Sequence, residues 1–507
     1  MLSILSMLSM LANGFLEVLM PGNFIYLAGG IVLGLVMGAI PGLTATMAIA
    51  LIVPMTYYIT PTQSLIMLLA AYNAGTFGGS LSAILIATPG TPAAAATVAD
   101  GFALAKQGKA VKAIKCALWA SCFGCLFSSV VLVLSAQPIA RYALKFGPAE
   151  YTVLMVFSLT IIASAAGRSM IKGLMGGCLG LLFGCVGMDA VYTTPRLTFG
   201  ILKLSSGIDL MVMLIGALAF SELLRQVGNV RGAKDKALLP PATCKEDNQF
   251  TREDFRLSWK HWLRSSFIGC GIGALPGLGP ALACWVGYDA AKRSARHPEL
   301  FGKGSVEGIA GSEAANNAVC GANMIPLLSL GVPGDTGAAV LIGAFLVQGL
   351  TPGPLIFAES PQTVYNVYAG LILCNIMLFI VVMLTYRLFA GIARLESTLI
   401  YPVVCVFCLV GVYALNRSLT DVWLMLFFAV VGFVLSRLEF PIVTMLIGFI
   451  LSPIFERNAR RALQLSFGEY RVFFGSPLCW FFWAITVISV VTIVWGKRKN
   501  RNLQDGL

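Results

Sequence analysis

The residues best placed to do chemistry in this chain of 507 are four Pro-Gly dipeptides, each set in apolar surroundings. They are Pro41-Gly42, with Thr44 and Thr46 just after; Pro89-Gly90, flanked by Thr88 and Thr91; Pro276-Gly277; and Pro333-Gly334, with Asp335 and Thr336 after it. Proline suits a first helical turn, and glycine lets backbone approach a ligand closely. Each dipeptide therefore predicts the start of a half-helix, whose first N–H groups lack partners and carry partial positive charge. Four such ends pointing inward would bind an anion, such as a carboxylate, without Lys or Arg. Packing glycines and ordinary caps explain a single Pro-Gly equally well. Four at matched positions favour a site.

Amides and acids lie between these tips. Counting back from Pro89 and from Pro333 sets Tyr72-Asn73 opposite Asn316-Asn317. Asparagine can donate to a carboxylate or offer oxygen to Na⁺, and it can equally bond one helix to another. Glu313 and Asp335 are acids in apolar segments, suited to a coupling cation or a proton. Asp335 is also suited to cap its half-helix. Glu313 is open to a solvated reading near the cytoplasmic surface, and Asp100 to an interfacial one. The substrate-binding candidates are therefore Pro41, Gly42, Thr44, Thr46, Asn73, Thr88, Pro89, Gly90, Thr91, Pro276, Gly277, Asn316, Asn317, Pro333, Gly334 and Thr336. Asn73, Glu313, Asn317 and Asp335 are the coupling-ion candidates.

The elements that must position these residues follow from composition. The chain is 58% hydrophobic and 11% charged, with mean hydropathy +0.84, where a soluble domain carries about 25% charged residues. An all-α polytopic membrane protein of about 11–12 spans is expected. The net charge of +12 is spread over short loops and reads as topology, not nucleic-acid binding. Cys122/Cys125 and Cys405/Cys408 have C-x-x-C spacing, but they lie in apolar runs without a neighbouring His and read as packing. The two histidines, His261 and His297, build no triad or metal set. No enzyme chemistry, resident metal or cofactor is expected, and no P-loop occurs.

Charges orient the spans. Lys106, Lys109, Lys112 and Lys115 mark a cytoplasmic loop. Apolar runs follow at 116–137, 150–167, 173–190 and 208–228, and later at 363–386, 397–415, 421–437, 440–453 and 478–496. The chain divides into an N-terminal apolar or interfacial helix (1–21), a first membrane repeat (22–230), a cytoplasmic linker (231–261) and a second repeat (262–455). Residues 456–507 hold an interfacial helix carrying Arg457, Arg460 and Arg461, a last span and a basic cytoplasmic tail. The connector after Pro41-Gly42 has no basic residue, and its counterpart after Pro276-Gly277 has four. After Pro89-Gly90 there are four lysines, and after Pro333-Gly334 none. A bias that switches sides predicts inverted-topology repeats with a site near the midplane. Segments 22–56 and 262–290 fit re-entrant hairpins, and 84–100 and 327–350 fit hairpins or broken helices. A helix unwound at Pro-Gly and continuing across fits nearly as well.

At these same residues the sequence resembles the large membrane subunit of the tripartite tricarboxylate transporter family. The stretches that carry the resemblance are GAIPGLTATMAIAL (38–51), YNAGTFGGSLSAIL (72–85), TPGTPAAAATVADGFALAKQGKA (88–110), GALPGLGPALA (273–283), EAANNA (313–318) and IPLLSLGVPGDTGAAVLIGAFLVQGLTPGP (325–354). The resemblance implies a multi-pass permease of the bacterial inner membrane, working with a smaller membrane subunit and a periplasmic substrate-binding protein. It implies uptake of citrate or other di- and tricarboxylates, driven by a Na⁺ or H⁺ gradient rather than ATP. Two positions depart from the pattern. Asp335 stands where a small hydroxyl residue is expected, and Gly311-Ser312 where Ala-Pro is. A carboxylate at 335 repels an anionic substrate unless a cation or proton neutralises it. A standalone symporter, an intramembrane enzyme and a structural subunit without its own site are the competing readings.

Overall fold

The computed structural model describes residues 4–40, 42–165, 169–189, 194–229, 249–392 and 397–504, and nearly all of these are helical. Hydrocarbon offers no partner to backbone N–H and C=O groups, so helices that pair them internally are what an apolar chain can form there. The first half opens with α1 (Ile4–Leu19) and α2 (Pro21–Ala39), then bends over residues 40–44 into α3 (Ala45–Ile52). Pro41 lies outside the described residues. A capping box formed by Thr60 and Gln63 starts α4 (Pro61–Ile86). The chain then reverses and continues as α5 (Thr97–Lys106), α6 (Ala110–Ala143), α7 (Pro148–Ala165) and α8 (Met170–Gly184). A two-stranded antiparallel ribbon, β1 (Gly187–Met188) with β2 (Pro195–Arg196), sets Gly187 opposite Arg196. Then α9 (Leu210–Leu214) passes through a π turn into α10 (Ser221–Asn229).

The second half opens with α11 (Arg252–Gly273), α12 (Gly279–Ser294), α13 (Val306–Ala322) and, past Asn323, α14 (Met324–Leu330). After another reversal come α15 (Thr336–Val347), the short α16 (Ile356–Glu359), α17 (Pro361–Ile392), α18 (Ser397–Asn416), α19 (Leu419–Arg437), α20 (Ile442–Leu465) and α21 (Pro477–Gln504). Among the described residues, six helices are long and apolar enough to cross a membrane (α2, α4, α6, α17, α19, α20), with seven shorter apolar helices beside them. The chain is thus an all-α polytopic membrane protein. The expected linker at 231–248 lies outside the described residues, and 252–261 already belong to α11. Residues 456–465, where an interfacial helix was expected, are the last turns of α20. There Arg460 pairs with Asp189 at 2.8 Å and with Glu456, which also binds Arg196.

Two buried helices form the axis of the molecule. Residues Ser64–Leu85 of α4 and Glu307–Ala322 of α13 are buried throughout, although both carry polar side chains. Apolar side chains instead face outward on the surrounding helices, among them Ile380, Leu384, Val410, Trp423 and Phe427. That is the distribution expected where the solvent is lipid.

Small residues set the seams. Along α2, Gly30, Gly34 and Gly38 lie against Met67, Ala71 and Gly75 of α4, and a Cβ at any of them would collide with those carbonyls. Along α11, Gly269 lies against Ala315, and Gly273 against Val319 and Ala322 of α13. So α11 runs parallel to α13. On α12 the order reverses, with Gly287 against Ala315 and Gly311, and Ala291 against Gly311. Residues 262–290 therefore form a hairpin whose two arms pack on α13.

The later Pro-Gly segments are broken helices. Ala87 (φ 56°) and Gly331 (φ 72°), at equivalent positions, both turn left-handed and end α4 and α14. Each chain then folds back along its own helix before climbing again. Gly90 N–H donates to Gly79 O at 3.3 Å, and Gly334 lies on Asn323.

The connectors sort by charge. Gln107 Nε2, beside the lysine-rich connector, donates to Lys303 O at 2.9 Å. Asp100 is fully buried: its Oδ1 accepts from the N–H groups of Gly302, Gly304 and Ser305 at 2.8–2.9 Å. The two basic connectors therefore meet at one end of the molecule. The two without basic residues also meet, where Gln348 Nε2 donates to Thr56 O at 2.8 Å.

Candidate functional site: the broken-helix tips

The four tips gather as two pairs around the middle of α4. The stretch Tyr72–Gly79, about 10 Å of helix, touches both pairs: Gly75 and Gly79 meet the first, and Tyr72 meets the second.

The first pair opens onto a cleft of about 440 Å³, within the usual size of a small-molecule site. Gly42, Thr44 and Thr46 line it from the first tip, and Pro89, Gly90 and Thr91 from the second. The opposite wall belongs to α10, which supplies Ser221, Glu222 and Arg225. Thr44 caps α3 by accepting from Met47 N–H at 3.2 Å. Thr91 Oγ1 is buried with no hydrogen-bond partner. Such an orphan costs about 1–3 kcal/mol. Thr88 is exposed and bonds back to Ile86 O; it does not line the cleft.

Arg225 is the residue that sequence reasoning missed. It lies near the end of the apolar run 208–228, and α10 brings it into the tip cleft, in a bidentate pair with Glu222 (Nε–Oε2 2.7 Å). The signal was present: Glu222 and Arg225 are three apart at the polar end of an apolar run, the spacing of a helical ion pair.

The second pair closes on itself. Gly277 N–H donates to Gly334 O at 2.6 Å. Asp335 caps α15, accepting from Ala338 N–H at 2.7 Å, from Tyr72 Oη at 2.6 Å and from Asn323 Nδ2 at 3.0 Å. A carboxylate of the chain's own thus occupies the positive end of that half-helix. Pro276, Gly277, Pro333, Gly334 and Thr336 are absent from the cleft lining. The expectation that each Pro-Gly opens a half-helix also needs one correction. After Pro89-Gly90 the chain makes a 3-10 turn, Pro92–Ala94, and α5 begins only at Thr97, because Pro92 fixes an extended residue before it.

Glu313 is fully buried rather than solvated. Its Oε1 accepts from Ser80 Oγ (2.7 Å) and Thr97 Oγ1, and its Oε2 from Ser121 Oγ (3.0 Å) and Asn317 Nδ2 (3.3 Å). Helices α4, α5, α6 and α13 thus meet on one carboxylate. Asn316 lies one turn from Ser312, which bonds Thr97, and one turn from Cys320, which bonds Thr76. Both side-chain polar atoms of Asn316, and the Oδ1 atoms of Asn73 and Asn317, are buried without partners. Asn73 and Asn317, paired by the count from Pro89 and Pro333, are both buried on the two central helices. Asn73 Nδ2 bonds Asn375 of α17 at 3.0 Å, and Asn317 Nδ2 bonds Ser121 of α6 at 2.9 Å. Among the described residues no group of three or more His, Cys, Asp or Glu is placed to hold a metal.

Comparison with known proteins gives this architecture its family. Residues 24–447 match the tripartite tricarboxylate transporter TctA family. An uncharacterized 52.8 kDa protein from the TAR-I ttuC' 3' region of Agrobacterium vitis is 34% identical over 487 residues, 96% of each chain. A second protein of that organism, from the TAR-II ttuC' 3' region, is 34% identical over 210 residues, 41% of this chain and 87% of its own. No solved structure matches. With a match spanning the broken helices, the cleft and the Glu313 cluster alike, the chain belongs to the TctA family of tripartite tricarboxylate transporters.

Proposed function

We propose that this chain is the large permease subunit of a secondary transporter that imports di- or tricarboxylates across the bacterial inner membrane, on an ion gradient. It would receive substrate from a periplasmic binding protein and work beside a small membrane subunit. The observation that carries the reading is the cleft where Gly42, Thr44, Thr46, Gly90 and Thr91 face Arg225. A carboxylate there would meet hydroxyls, backbone N–H groups at a helix start and a guanidinium with bidentate geometry. Glu222 holds that guanidinium until a substrate carboxylate replaces it.

The coupling ion is assigned to the Glu313 cluster. Its carboxylate and the unpartnered oxygens of the neighbouring Asn316 and Asn317 are hard oxygen ligands suited to Na⁺, and the carboxylate alone is suited to H⁺. Asp335 then serves as a cap. We read the halves as inverted repeats, which the meeting of the two basic connectors at one end supports: they follow different tips in the two halves. That end is taken as cytoplasmic, as is the C-terminal tail, and alternating access would expose the cleft to each side in turn.

The test is uptake of labelled carboxylates into proteoliposomes, with and without the two partner subunits and with and without a Na⁺ or H⁺ gradient. Loss of one charged hydrogen bond predicts a KM raised about tenfold to a hundredfold in Arg225→Gln. An unchanged KM would remove the cleft from the substrate path. Full uptake without a binding protein would favour a standalone symporter.

A further inference from the structure

A second cavity, of about 870 Å³, lies away from the tips. It is bounded by the first three turns of α11, the end of α12 and the start of α13. Arg252, Arg256, Lys260, Arg264 and Arg296 line it, against Glu253 and Glu307. Four of these cations recur at every fourth residue of α11, so they stack along one face over about 18 Å. Like charges at that spacing destabilise a helix. Among the described residues, Arg252, Arg256, Lys260 and Arg296 have no carboxylate within ion-pair distance. Glu307 is engaged by His261 Nε2 at 2.9 Å, and Arg264 by Ser294 and His261. Among the described residues, the remaining cations share the cavity with Glu253 but form no ion pair.

The neighbouring stripe decides what does. Phe255, Trp259, Leu263 and Phe267 also recur at every fourth residue, and all four are exposed. They are large apolar side chains, on a helix whose third stripe is buried against α13. A soluble anion has no use for them, whereas a lipid uses both stripes. We propose that this groove binds the phosphate headgroup of an anionic phospholipid, with Arg252, Arg256 and Lys260 on the phosphate. The acyl chains would lie along Phe255, Trp259, Leu263 and Phe267. Basic pockets between helices at the cytoplasmic side of a membrane protein recognise lipid headgroups by this chemistry. The groove lies at the start of α11, at the opposite end of that helix from Pro276-Gly277, so a lipid there would brace the base of the hairpin that carries this tip.

The test uses the full-length protein, stripped of lipid in detergent. It is titrated with phosphatidylglycerol, phosphatidylcholine and inorganic phosphate and read by native mass spectrometry. The wild type should prefer phosphatidylglycerol. That preference should fall on the order of a hundredfold in R252Q/R256Q/K260Q, which removes three cations, and survive in R252K/R256K. Phe255→Ser with Trp259→Ser should weaken lipid binding. Equal retention of phosphatidylcholine by the wild type, or an unchanged preference in the triple variant, would overturn the proposal. So would displacement of the lipid by inorganic phosphate at comparable concentration, which would identify a free-anion site. The wild-type titrations decide the matter even where a variant fails to fold.

Discussion

At the scale of single residues, the buried polar groups divide by whether the chain satisfies them. Glu313 is held by three hydroxyls and an amide, so removing it orphans several donors together. Glu313→Ala should lose about 3 kcal/mol or more, at roughly 1 kcal/mol or more per orphan, seen as a lower unfolding temperature in detergent. Glu313→Gln keeps the shape and most of the bonds. It should fold nearly as the wild type but fail to accumulate substrate on an ion gradient; normal accumulation would remove Glu313 from coupling. Asp335 behaves as a cap, so Asp335→Asn should cost little. Asp335→Ala should cost about 1–2 kcal/mol, plus the loss of its bond from Tyr72. A thermal-shift series over these variants checks both figures.

At the scale of elements, backbone proximity decides what each tip can do. Gly90 sits where a Cβ would collide with Gly38 O and come within 2.8 Å of Ser82 Oγ and 3.0 Å of Gly79 Cα. Gly90→Ala should therefore cost about 1–3 kcal/mol by overpacking and should spoil the first tip pair. Gly22, at the open start of α2, has nothing within 4 Å of such a Cβ. Gly22→Ala should leave stability unchanged or raise it by about 0.4–1 kcal/mol. Measured side by side in unfolding and carboxylate-binding assays, the pair separates a tip effect from a general glycine effect. The tips also differ from one another. The first pair keeps neutral threonines at its bends, and the second is filled by Asp335.

At the scale of the whole molecule, the arrangement of connectors carries the topology. Residues 107 and 303 meet at one end, and 56 and 348 at another place on the chain. If the repeats are inverted, single cysteines at Gln107 and Lys303 should react with an impermeant thiol reagent from the cytoplasmic face. One at Gln348 should react from the opposite face. Labelling of 107 and 348 from the same side would refute the inverted reading, whatever the substrate proves to be.

Much of this architecture was legible in the sequence. Apolar runs located the spans because hydrocarbon forces whole helices, and their interruptions located the tips because Pro and Gly act on the backbone locally. The count from Pro89 and Pro333 likewise pointed to Asn73 and Asn317, both of which lie buried on the central helices. What the sequence left open depended on which surfaces meet. The spacing of Glu222 and Arg225 signalled an ion pair but not that α10 returns it to the first tips, and nothing told that Tyr72 of one half binds Asp335 of the other. Nor did the sequence reveal that Glu313 and Asp100 are wholly enclosed. Each of those contacts joins residues far apart in the chain, and close packing of helices through small residues, not local propensity, decides them.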